Sequence, residues 1–323
     1  MDLSICITTF NLENEIDQTL ESVFAQKTAY SFEVLIGDDG SSDGTMDRIL
    51  AWEAKYPQII SHYQMPREAD KKYNPIFRAS ANRVNLLKHA KGTYITFLDG
   101  DDFYTDTLKM QKQLDILNAY PQCTVCAHNM NLYYPDGTTE PMARVTENAQ
   151  VLNAKQYWAS GHYIHAEACI IRREGLQFDS RFDRYFDDNF IVFLGLQQGD
   201  LYYMPEEMAN YRQNPTGFMH TEQVRMDIIN LLDCDMEILY NPAWKNSALR
   251  RHAAQYLAIH RCQTTDLAEK YPLLYQQAKE DACQYTLDAI AGQKCPAYWE
   301  MLGVYLLGKA LRIPNKLKRI FHL

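Results

Sequence analysis

The sequence predicts an α/β protein in which a mainly parallel central sheet is flanked by helices and is followed by an all-helical C-terminal region. Three observations support this prediction. Strand and helix patterns alternate through the first part of the chain, two aspartate clusters directly follow strand patterns, and apolar residues recur at helical spacing from Thr221 onward. The change of pattern indicates a domain boundary at about residue 220.

Each element of the first part has a local signal. LSICITT and FEVLIG are apolar, β-branched runs, and the segment between them carries apolar residues on one helical face, as at Ile16 and Leu20. Pro57 and Gly92 end two of the helices. Because strands that alternate with helices form parallel sheets, ligands are expected at the carboxyl ends of the strands. The predicted strands are 3–9, 32–37, 59–63 and 94–98, and the predicted helices are 13–27, 45–56 and 78–90.

The middle of the chain mixes a helix, predicted from Leu108 to Leu117, with shorter strands. Those strands are predicted near 123–133, 168–172 and 201–204. The last part shows helical spacing throughout and no repeat period. The predicted organisation is therefore a sheet domain at 1–220 and a helical region at 221–323.

Composition narrows the class of protein. The chain has 323 residues, of which 46% are apolar and 23% charged, as in soluble globular proteins. Its net charge of −9 provides no basic field, which argues against nucleic-acid binding. MDLSICITTF lacks the features of a signal peptide, and no apolar run reaches the roughly 20 residues of a spanning helix. Cys123 and Cys126 have no second pair at zinc-finger spacing, so buried, reduced cysteines and a cytoplasmic location are expected.

The most informative segment is YITFLDGDDFY, at 94–104. An apolar strand pattern ends in three closely spaced carboxylates, Asp99, Asp101 and Asp102. Such charges repel one another unless a cation shares the site, and hard oxygen ligands suit Mg²⁺ or Mn²⁺, which in turn bind phosphate oxygens. Taken alone, the segment fits either a metal–diphosphate site or a solvated acidic turn.

Four blocks of the sequence together resemble the family 2 glycosyltransferases, inverting enzymes of the GT-A fold that use nucleotide-diphospho-sugars. The blocks lie in the family's order and cover about the first 217 residues. The resemblance implies a GT-A catalytic domain at 1–220, a UDP-sugar donor and a glycan or lipid-linked glycan acceptor. The blocks are SICITTFNLE…LESVFAQ, FEVLIGDDGSSDGT, HAKGTYITFLDGDD and FDDNFIVFLGLQQGDLYYMPEEMANYRQNPTG.

The resemblance also implies the residues that would bind the donor. Asp38 or Asp39 would accept the imide N–H of the base, which favours uracil over cytosine; for Asp39 an Asp-Gly turn with helix capping is the alternative. Arg83 would meet the nucleotide-sugar, although a solvated helix face is equally compatible with its position. Arg212 would contact phosphate or support the site. The full donor set is Thr8, Thr9, Phe10, Asn11, Asp38, Asp39, Arg83, Asp99, Gly100 and Arg212.

The D-x-D positions of the family fall on Asp99 and Asp101. The resemblance implies that both aspartates hold Mn²⁺ or Mg²⁺, with Asp101 as the main direct ligand and Asp99 also in contact with the ribose or donor sugar. Asp102 would support both. The metal would neutralise charge on the departing diphosphate.

A direct inverting displacement also requires a general base. The family takes it from an acidic pair that opens a helix, and Asp187 and Asp188 occupy that place. We predict Asp188 as the base, with Asp187 as the alternative; ordinary acidic charge at a helix N-terminus is the competing interpretation. His165 and Glu167 lie where the family's acceptor pocket begins and are predicted to contact the acceptor.

The predicted function is an inverting, metal-dependent transfer of a hexose or N-acetylhexosamine from a UDP-sugar. A nucleotidyltransferase is the first alternative, but the glycine-rich basic loop typical of that class is missing after the first strand. A non-catalytic nucleotide-sugar-binding protein is the second. The basic, apolar tail at 300–323 fits either contact with an anionic membrane or packing on the domain.

Overall fold

The computed structural model describes residues 1–68, 71, 73, 75–160, 164–176 and 186–214. The chain divides into two compact units, Met1–Gly217 and Phe218–Leu323, and every described residue belongs to the first. The predicted helical region at 221–323, with its basic tail, lies outside the described residues and stays a prediction.

Strands and helices alternate as the sequence predicts. The first half contains β1 (Leu3–Thr9), α1 (Ile16–Phe24), β2 (Phe32–Asp38), α2 (Thr45–Lys55), β3 (Ile60–Gln64), α3 (Pro75–His89), β4 (Tyr94–Asp99), β5 (Phe103–Tyr104) and α4 (Lys109–Ala119). The second half contains β6 (Cys123–Tyr133), β7 (Thr139–Pro141), β8 (Gln150–Leu152), α5 (Ala154–Ser160), β9 (Cys169–Arg172), α6 (Asp188–Leu196) and β10 (Asp200–Arg212). Two short 3₁₀ helices, Ala166–Ala168 and Arg173–Gly175, flank β9.

The described strands form one sheet in the order β3-β2-β1-β4-β9-β6-β10-β5, with β7 paired to β6 and β8 to β10. The β3-β2-β1-β4 half is parallel throughout, and β6 and β10 are parallel to each other. Short β9 lies antiparallel between β4 and β6 and joins the two parallel groups. The sheet is therefore mixed, and its longest ladders are parallel.

The central strands lie in the core. Leu3, Ile5 and Ile7 of β1 are fully buried, which is typical of a parallel strand covered on both faces. Helix α3 packs against β1 and β2, whereas α4 and α6 pack against β6. Helix α3 therefore covers β1 and β2, and the carboxyl ends of these two strands lie in the sheet beside that of β4.

Several elements differ in length from the sequence prediction, and helix α1, predicted at 13–27, spans only Ile16–Phe24. Helix α3 begins at Pro75, three residues before the predicted start, since proline suits the first turn of a helix. Strand β10 continues to Arg212, beyond the predicted 201–204, because shifts in its pairing with β6 between Met204 and Ala209 accommodate the irregular MPEEMA sequence. The longer β10 carries Arg212 to the sheet edge described next.

Candidate active site

The predicted donor residues meet where β1, β2 and β4 end side by side. Thr9 pairs in register with Asp38 on one side, and Thr8 pairs with Asp99 on the other. The hydroxyl of Thr8 donates a hydrogen bond to Asp99 Oδ1 at 2.5 Å. The two aspartate clusters of the sequence thus flank the end of one central strand.

The loops after β1 and β2 are joined by reciprocal hydrogen bonds. The backbone N–H of Asn11 donates to Ser41 Oγ at 2.8 Å, and that of Ser42 donates to Asn11 Oδ1 at 2.8 Å. Asn11 adopts a left-handed backbone with φ 52°, which asparagine tolerates better than most residues. Glu13 Oε2 accepts a further bond from the N–H of Gly44 at 2.7 Å. Asn11 is therefore held in the loop that follows the carboxyl end of β1.

Asp38 is turned into its own loop. Its carboxylate is fully buried and accepts the backbone N–H groups of Gly40 at 3.1 Å and Ser41 at 2.9 Å. The Ser41 hydroxyl donates to Asp38 Oδ1 at 2.5 Å. The carboxylate of Asp38 therefore fixes the turn after β2.

Asp39 faces two arginines that the sequence analysis did not identify. A terminal nitrogen of Arg67 donates to Asp39 Oδ2 at 2.5 Å, and Arg78 Nε donates to Asp39 Oδ1 at 2.5 Å. The guanidinium carbon of Arg67 lies 3.9 Å from the ring centre of Phe10, which is 41% exposed. The sequence offers little signal for them: Arg67 lies within the polar 65–75 segment, and Arg78 follows it.

Gly100 allows the turn after β4 to approach β1. Its N–H donates to the carbonyl of Thr8 at 2.8 Å. A Cβ at position 100 would lie 2.7 Å from Thr9 Cγ2 and 2.9 Å from the oxygen of Thr8. This closeness explains why the predicted D-x-D segment carries glycine between its aspartates.

The three carboxylates at the carboxyl end of β4, Asp99, Asp101 and Asp102, have different environments. Asp101 makes no side-chain hydrogen bond to another residue in the described part of the chain, and burial together with the charge of Asp99 raises its pKa to about 6. Asp102 is fully buried, and its Oδ1 accepts the backbone N–H of Arg212 at 2.7 Å. Burial, followed by the charge of Asp101, raises the pKa of Asp102 well above its usual range. The segment is therefore not a solvated acidic turn.

Asp101 fits a divalent cation. Its carboxylate oxygens have no other partner among the described residues, and the repulsion that raises its pKa would be relieved by a bound cation. Its all-oxygen donor set suits Mg²⁺ or Mn²⁺.

Arg212 stabilises the turn that follows β4. Its Nε donates to the carbonyl of Asp101 at 2.8 Å, and a terminal nitrogen donates to Gln18 Oε1 at 2.6 Å. The guanidinium carbon lies 5.4 Å from the ring centre of Phe103 and 5.2 Å from that of Tyr133. Of the two roles predicted for Arg212, this geometry matches the supporting one.

Arg83 connects the donor side of the site to the predicted base. One terminal nitrogen lies 3.1 Å from both carboxylate oxygens of Asp99 and 3.3 Å from Asp188 Oδ1. Burial of the Arg83 guanidinium would lower its pKa, but the carboxylates of Asp99 and Asp188 outweigh burial and raise the pKa well above its usual value. Only 8% of Arg83 is exposed, so the solvated-face interpretation is wrong.

The acidic pair at 187–188 divides into two roles. Asp187 is the N-cap of α6, and its Oδ1 accepts the N–H of Phe190 at 3.2 Å. Asp188 is the first helical residue, and its carboxylate faces Arg83 with one oxygen and His165 with the other. The N-terminus of α6 therefore fixes the direction of Asp188.

His165 and Glu167 lie against Asp188. His165 Nδ1 is 3.6 Å from Asp188 Oδ2 and 3.8 Å from Glu167 Oε2. The imidazole packs on the ring of Tyr211, with ring centres 4.7 Å apart. Burial lowers the pKa of His165, whereas burial, followed by the charges of Asp188 and Asp99, raises the pKa of Glu167 well above its usual range. Only 1% of Glu167 is exposed.

Among the described residues, one group of three potential metal ligands is close enough to share an ion, namely His165, Glu167 and Asp188. One ligand atom from each lies within 4.8 Å of the other two. The sequence does not predict this group, because Asp188 is distant from the other two residues along the chain and is brought to them only by the packing of α6.

The described part of the chain contains no helix that is both long and apolar enough to cross a membrane.

A mostly parallel sheet flanked by helices, with aspartates at the ends of β2 and β4, is the arrangement of the GT-A fold. Residues 4–178 match the family described as "Glycosyl transferase family 2". The chain belongs to that family, and the predicted fold class is confirmed.

Two curated relatives illustrate the similarity. An uncharacterised protein of Mycobacterium tuberculosis strain H37Rv is 29% identical over 224 residues, which make up 68% of this chain and 61% of that protein. The Escherichia coli UDP-Glc:alpha-D-GlcNAc-diphosphoundecaprenol beta-1,3-glucosyltransferase WfaP is 35% identical over 115 residues, or 36% of this chain and 41% of that protein. The chain thus spans less than two-thirds of the length of these relatives.

Two solved structures share the fold. TarS 1–349 of S. aureus, in complex with UDP-GlcNAc, is 18% identical with a TM-score of 0.62, covering 90% of this chain and 82% of that one. The mannosyltransferase PcManGT of Pyrobaculum calidifontis, in complex with GDP-Man and Mn²⁺, is 15% identical with a TM-score of 0.50, covering 98% of this chain and 82% of that one. At these identities the comparison establishes the fold alone.

Proposed function

We propose that the protein is an inverting glycosyltransferase that moves a hexose or an N-acetylhexosamine from a UDP-sugar to a glycan or lipid-linked glycan acceptor. The observation that carries the proposal is the position of Arg83, whose guanidinium joins the D-x-D residue Asp99 to the acidic helix start Asp188. Donor recognition and proton abstraction must occur side by side in a single-step displacement, and this contact supports such an arrangement.

The donor would bind along the ends of β1, β2 and β4. Asp39 is our candidate for the imide N–H of uracil, because Asp38 is fully occupied by its own turn. Thr8, Thr9, Asn11 and Gly100 would form the floor of the nucleotide site, with the exposed ring of Phe10 at its edge. The UDP-GlcNAc bound by TarS and the UDP-Glc named for WfaP support a UDP-sugar.

Asp101 would hold the donor's metal, with Asp99 beside it. A bound Mn²⁺ or Mg²⁺ would neutralise negative charge on the departing diphosphate. The Mn²⁺ in PcManGT supports this choice. Asp102, which bonds to the backbone of Arg212, would keep the turn in place.

Asp188 would take the proton of the acceptor hydroxyl as the sugar is transferred. Asp187 is committed to capping α6, which favours Asp188 over its neighbour. His165 is part-buried at the same position and would form one side of the acceptor approach. Glu167 is more deeply buried than His165 and would affect the acceptor only through the residues that it contacts. The diphosphoundecaprenol-linked acceptor named for WfaP supports a lipid-linked class.

The base assignment is tested by Asp188→Asn. We expect the variant to keep UDP binding and to lose transfer by about 10²–10⁴-fold, because the amide fills the same space but cannot accept a proton. Thermal shift with UDP and Mn²⁺ would measure binding, and release of UDP in the presence of an acceptor extract would measure transfer.

Asp187→Asn is the matched control for this substitution. Asparagine caps helices about as well as aspartate, so folding and transfer should both be retained. Near-normal transfer by the Asp188 variant would contradict the assignment. If neither UDP nor any UDP-sugar stabilised the unmodified protein, the proposal that the donor is a UDP-sugar would be contradicted.

A further inference from the structure

The group formed by His165, Glu167 and Asp188 has the geometry of a metal site. Ligand atoms bound to one tetrahedral Zn²⁺, at about 2.0–2.2 Å from the ion, lie about 3.4 Å from each other. His165 Nδ1 is 3.6 Å from Asp188 Oδ2 and 3.8 Å from Glu167 Oε2. These two distances are within a few tenths of an ångström of that value, and the ligand atoms of Glu167 and Asp188 lie within 4.8 Å of each other.

Glu167 supplies an independent sign that a ligand is missing. Its side chain is 99% buried, and Oε2, the atom directed at His165, accepts no hydrogen bond from the described residues. A buried carboxyl oxygen without a hydrogen bond is costly to the fold. A cation between Glu167 and Asp188 would supply the interaction that this oxygen lacks.

The local charge balance also favours a cation. The carboxylates of Asp99 and Asp188 both contact the guanidinium of Arg83, and Glu167 lies behind them. One guanidinium cannot neutralise three carboxylates. Since Arg83 lies against Oδ1 of Asp188, the Oδ2 atom stays turned toward His165.

We propose that His165, Glu167 and Asp188 form a second metal site, distinct from the donor's metal at Asp101, that binds Zn²⁺ or a similar transition-metal ion and withdraws Asp188 from catalysis. An imidazole nitrogen with two carboxylates suits Zn²⁺ or Co²⁺, whereas the oxygen-only surroundings of Asp101 suit Mn²⁺ or Mg²⁺. His165 and Asp188 have 14% and 12% of their side chains exposed, which provides a path for an ion and for a fourth, exchangeable ligand.

The inhibitory consequence rests on the proposed function, whereas the metal site does not. An ion on Oδ2 would occupy the lone pair that Asp188 needs to accept a proton, so zinc would inhibit transfer without displacing the donor nucleotide. The tilted contact between His165 and Tyr211 would hold the imidazole ready for the ion.

The site is tested on the full-length protein, stripped of metal, by titration with Zn²⁺ alone in a calorimeter. Co²⁺ serves as the spectroscopic probe, because its visible absorption reports a low-coordinate site that contains nitrogen. We expect the unmodified protein to bind one Zn²⁺ at this site and His165→Ala to reduce the affinity for that ion by at least about 100-fold. Even the loss of a residue that only supports a metal ligand reduces metal affinity by about 10–100-fold. Glu167→Gln should weaken the same site.

Two controls isolate the site. His62→Ala removes another histidine that pairs with a carboxylate, Glu53 at 2.7 Å, outside the three-ligand group, so it should leave zinc binding and transfer unchanged. Asp101→Asn should lose Mn²⁺-dependent stabilisation by UDP and keep the zinc site.

Unchanged zinc stoichiometry and Co²⁺ absorption in both His165→Ala and Glu167→Gln would overturn the proposed site. If zinc binds at this group but transfer at saturating Mn²⁺ is unaffected, the proposal that zinc withdraws Asp188 from catalysis is wrong. Transfer that falls with zinc while stabilisation by UDP persists supports both parts. Failure of the proposed function itself would appear separately, as absence of transfer in the zinc-free protein.

Discussion

Burial, followed by the charges of Asp188 and Asp99, raises the pKa of Glu167 well above its usual range. Because its pKa in the folded protein is raised well above the unfolded value, the folded state binds a proton that the unfolded state has already lost. Its contribution to the free energy of unfolding is therefore most favourable below the unfolded pKa, near 4, and declines as the pH rises toward the folded pKa.

We expect Glu167→Gln to remove this decline, since glutamine stays neutral at every pH. The free energy of unfolding of the variant, relative to the unmodified protein, should rise between pH 5 and pH 8. Urea unfolding followed by fluorescence, in the presence of a chelator, would measure it. A difference that does not vary with pH would show that Glu167 is ionised in the folded state.

At the residue scale, the sequence indicated which side chains belong to the site more reliably than it indicated which residues they contact. It located the acidic pair at 187–188, but the choice between them depends on which carboxylate caps α6, a matter of backbone geometry. It placed Arg83 near the donor, but its link to Asp188 requires α3 and α6 to be packed together. Arg67 and Arg78 were missed because nothing local connects them to Asp39.

At the scale of elements, the contact between the end of β4 and β1 depends on Gly100. We expect Gly100→Ala to destabilise the protein by about 1–3 kcal/mol, the usual cost of overpacking, and to weaken UDP binding by displacing Asp101. Chemical unfolding and thermal shift with UDP would measure the two effects.

The companion variant Gly100→Ala with Thr9→Ser removes the Cγ2 atom that the new methyl group would meet first. Part of the lost stability should return, but not all of it, because the carbonyl oxygen of Thr8 remains 2.9 Å away. Full stability in the single variant would mean that β1 and β4 separate at this point without cost.

Predictability differs among the elements. Strands β1, β2 and β4 were located from their apolar, β-branched runs, because burial on both faces leaves a continuous signal. The two-residue β5 and the three-residue β7 and β8 carry no comparable pattern, since they form only by pairing with β6 and β10. The full length of β10 escaped prediction because bulges interrupt its alternation.

At the scale of the whole molecule, the reactivity of the buried thiols measures how readily the sheet opens. Cys6, Cys126 and Cys169 are free and buried, and burial raises the pKa of each. We expect all three to react with iodoacetamide at pH 8 only when the domain unfolds, at rates that rise together with denaturant. Mass spectrometry of the labelled peptides would measure each site.

Labelling in strong denaturant provides the control for intrinsic reactivity. If Cys169 on β9 reacts well before Cys6 on β1, the short strand that joins the two parallel groups opens by itself. Comparable protection would instead mean that the sheet opens as one cooperative unit.

For the molecule as a whole, the class of fold followed from the alternation of elements, whereas the position of β9 did not. An antiparallel strand that enters between β4 and β6 is specified by long-range pairing rather than by local pattern. The same insertion carries Glu167 and His165 to the predicted base, so the part of the site that was hardest to foresee depends on it.

The hydrogen bonds that join the loops after β1 and β2 have a thermodynamic consequence for any ligand that binds there. The conformational freedom of these loops is lost when the chain folds rather than when a ligand binds, because hydrogen bonds already hold Asn11, Ser41 and Ser42. Ordering a side chain on binding costs on the order of 1 kcal/mol, so a nucleotide that meets these loops avoids much of that entropic penalty and retains it as affinity.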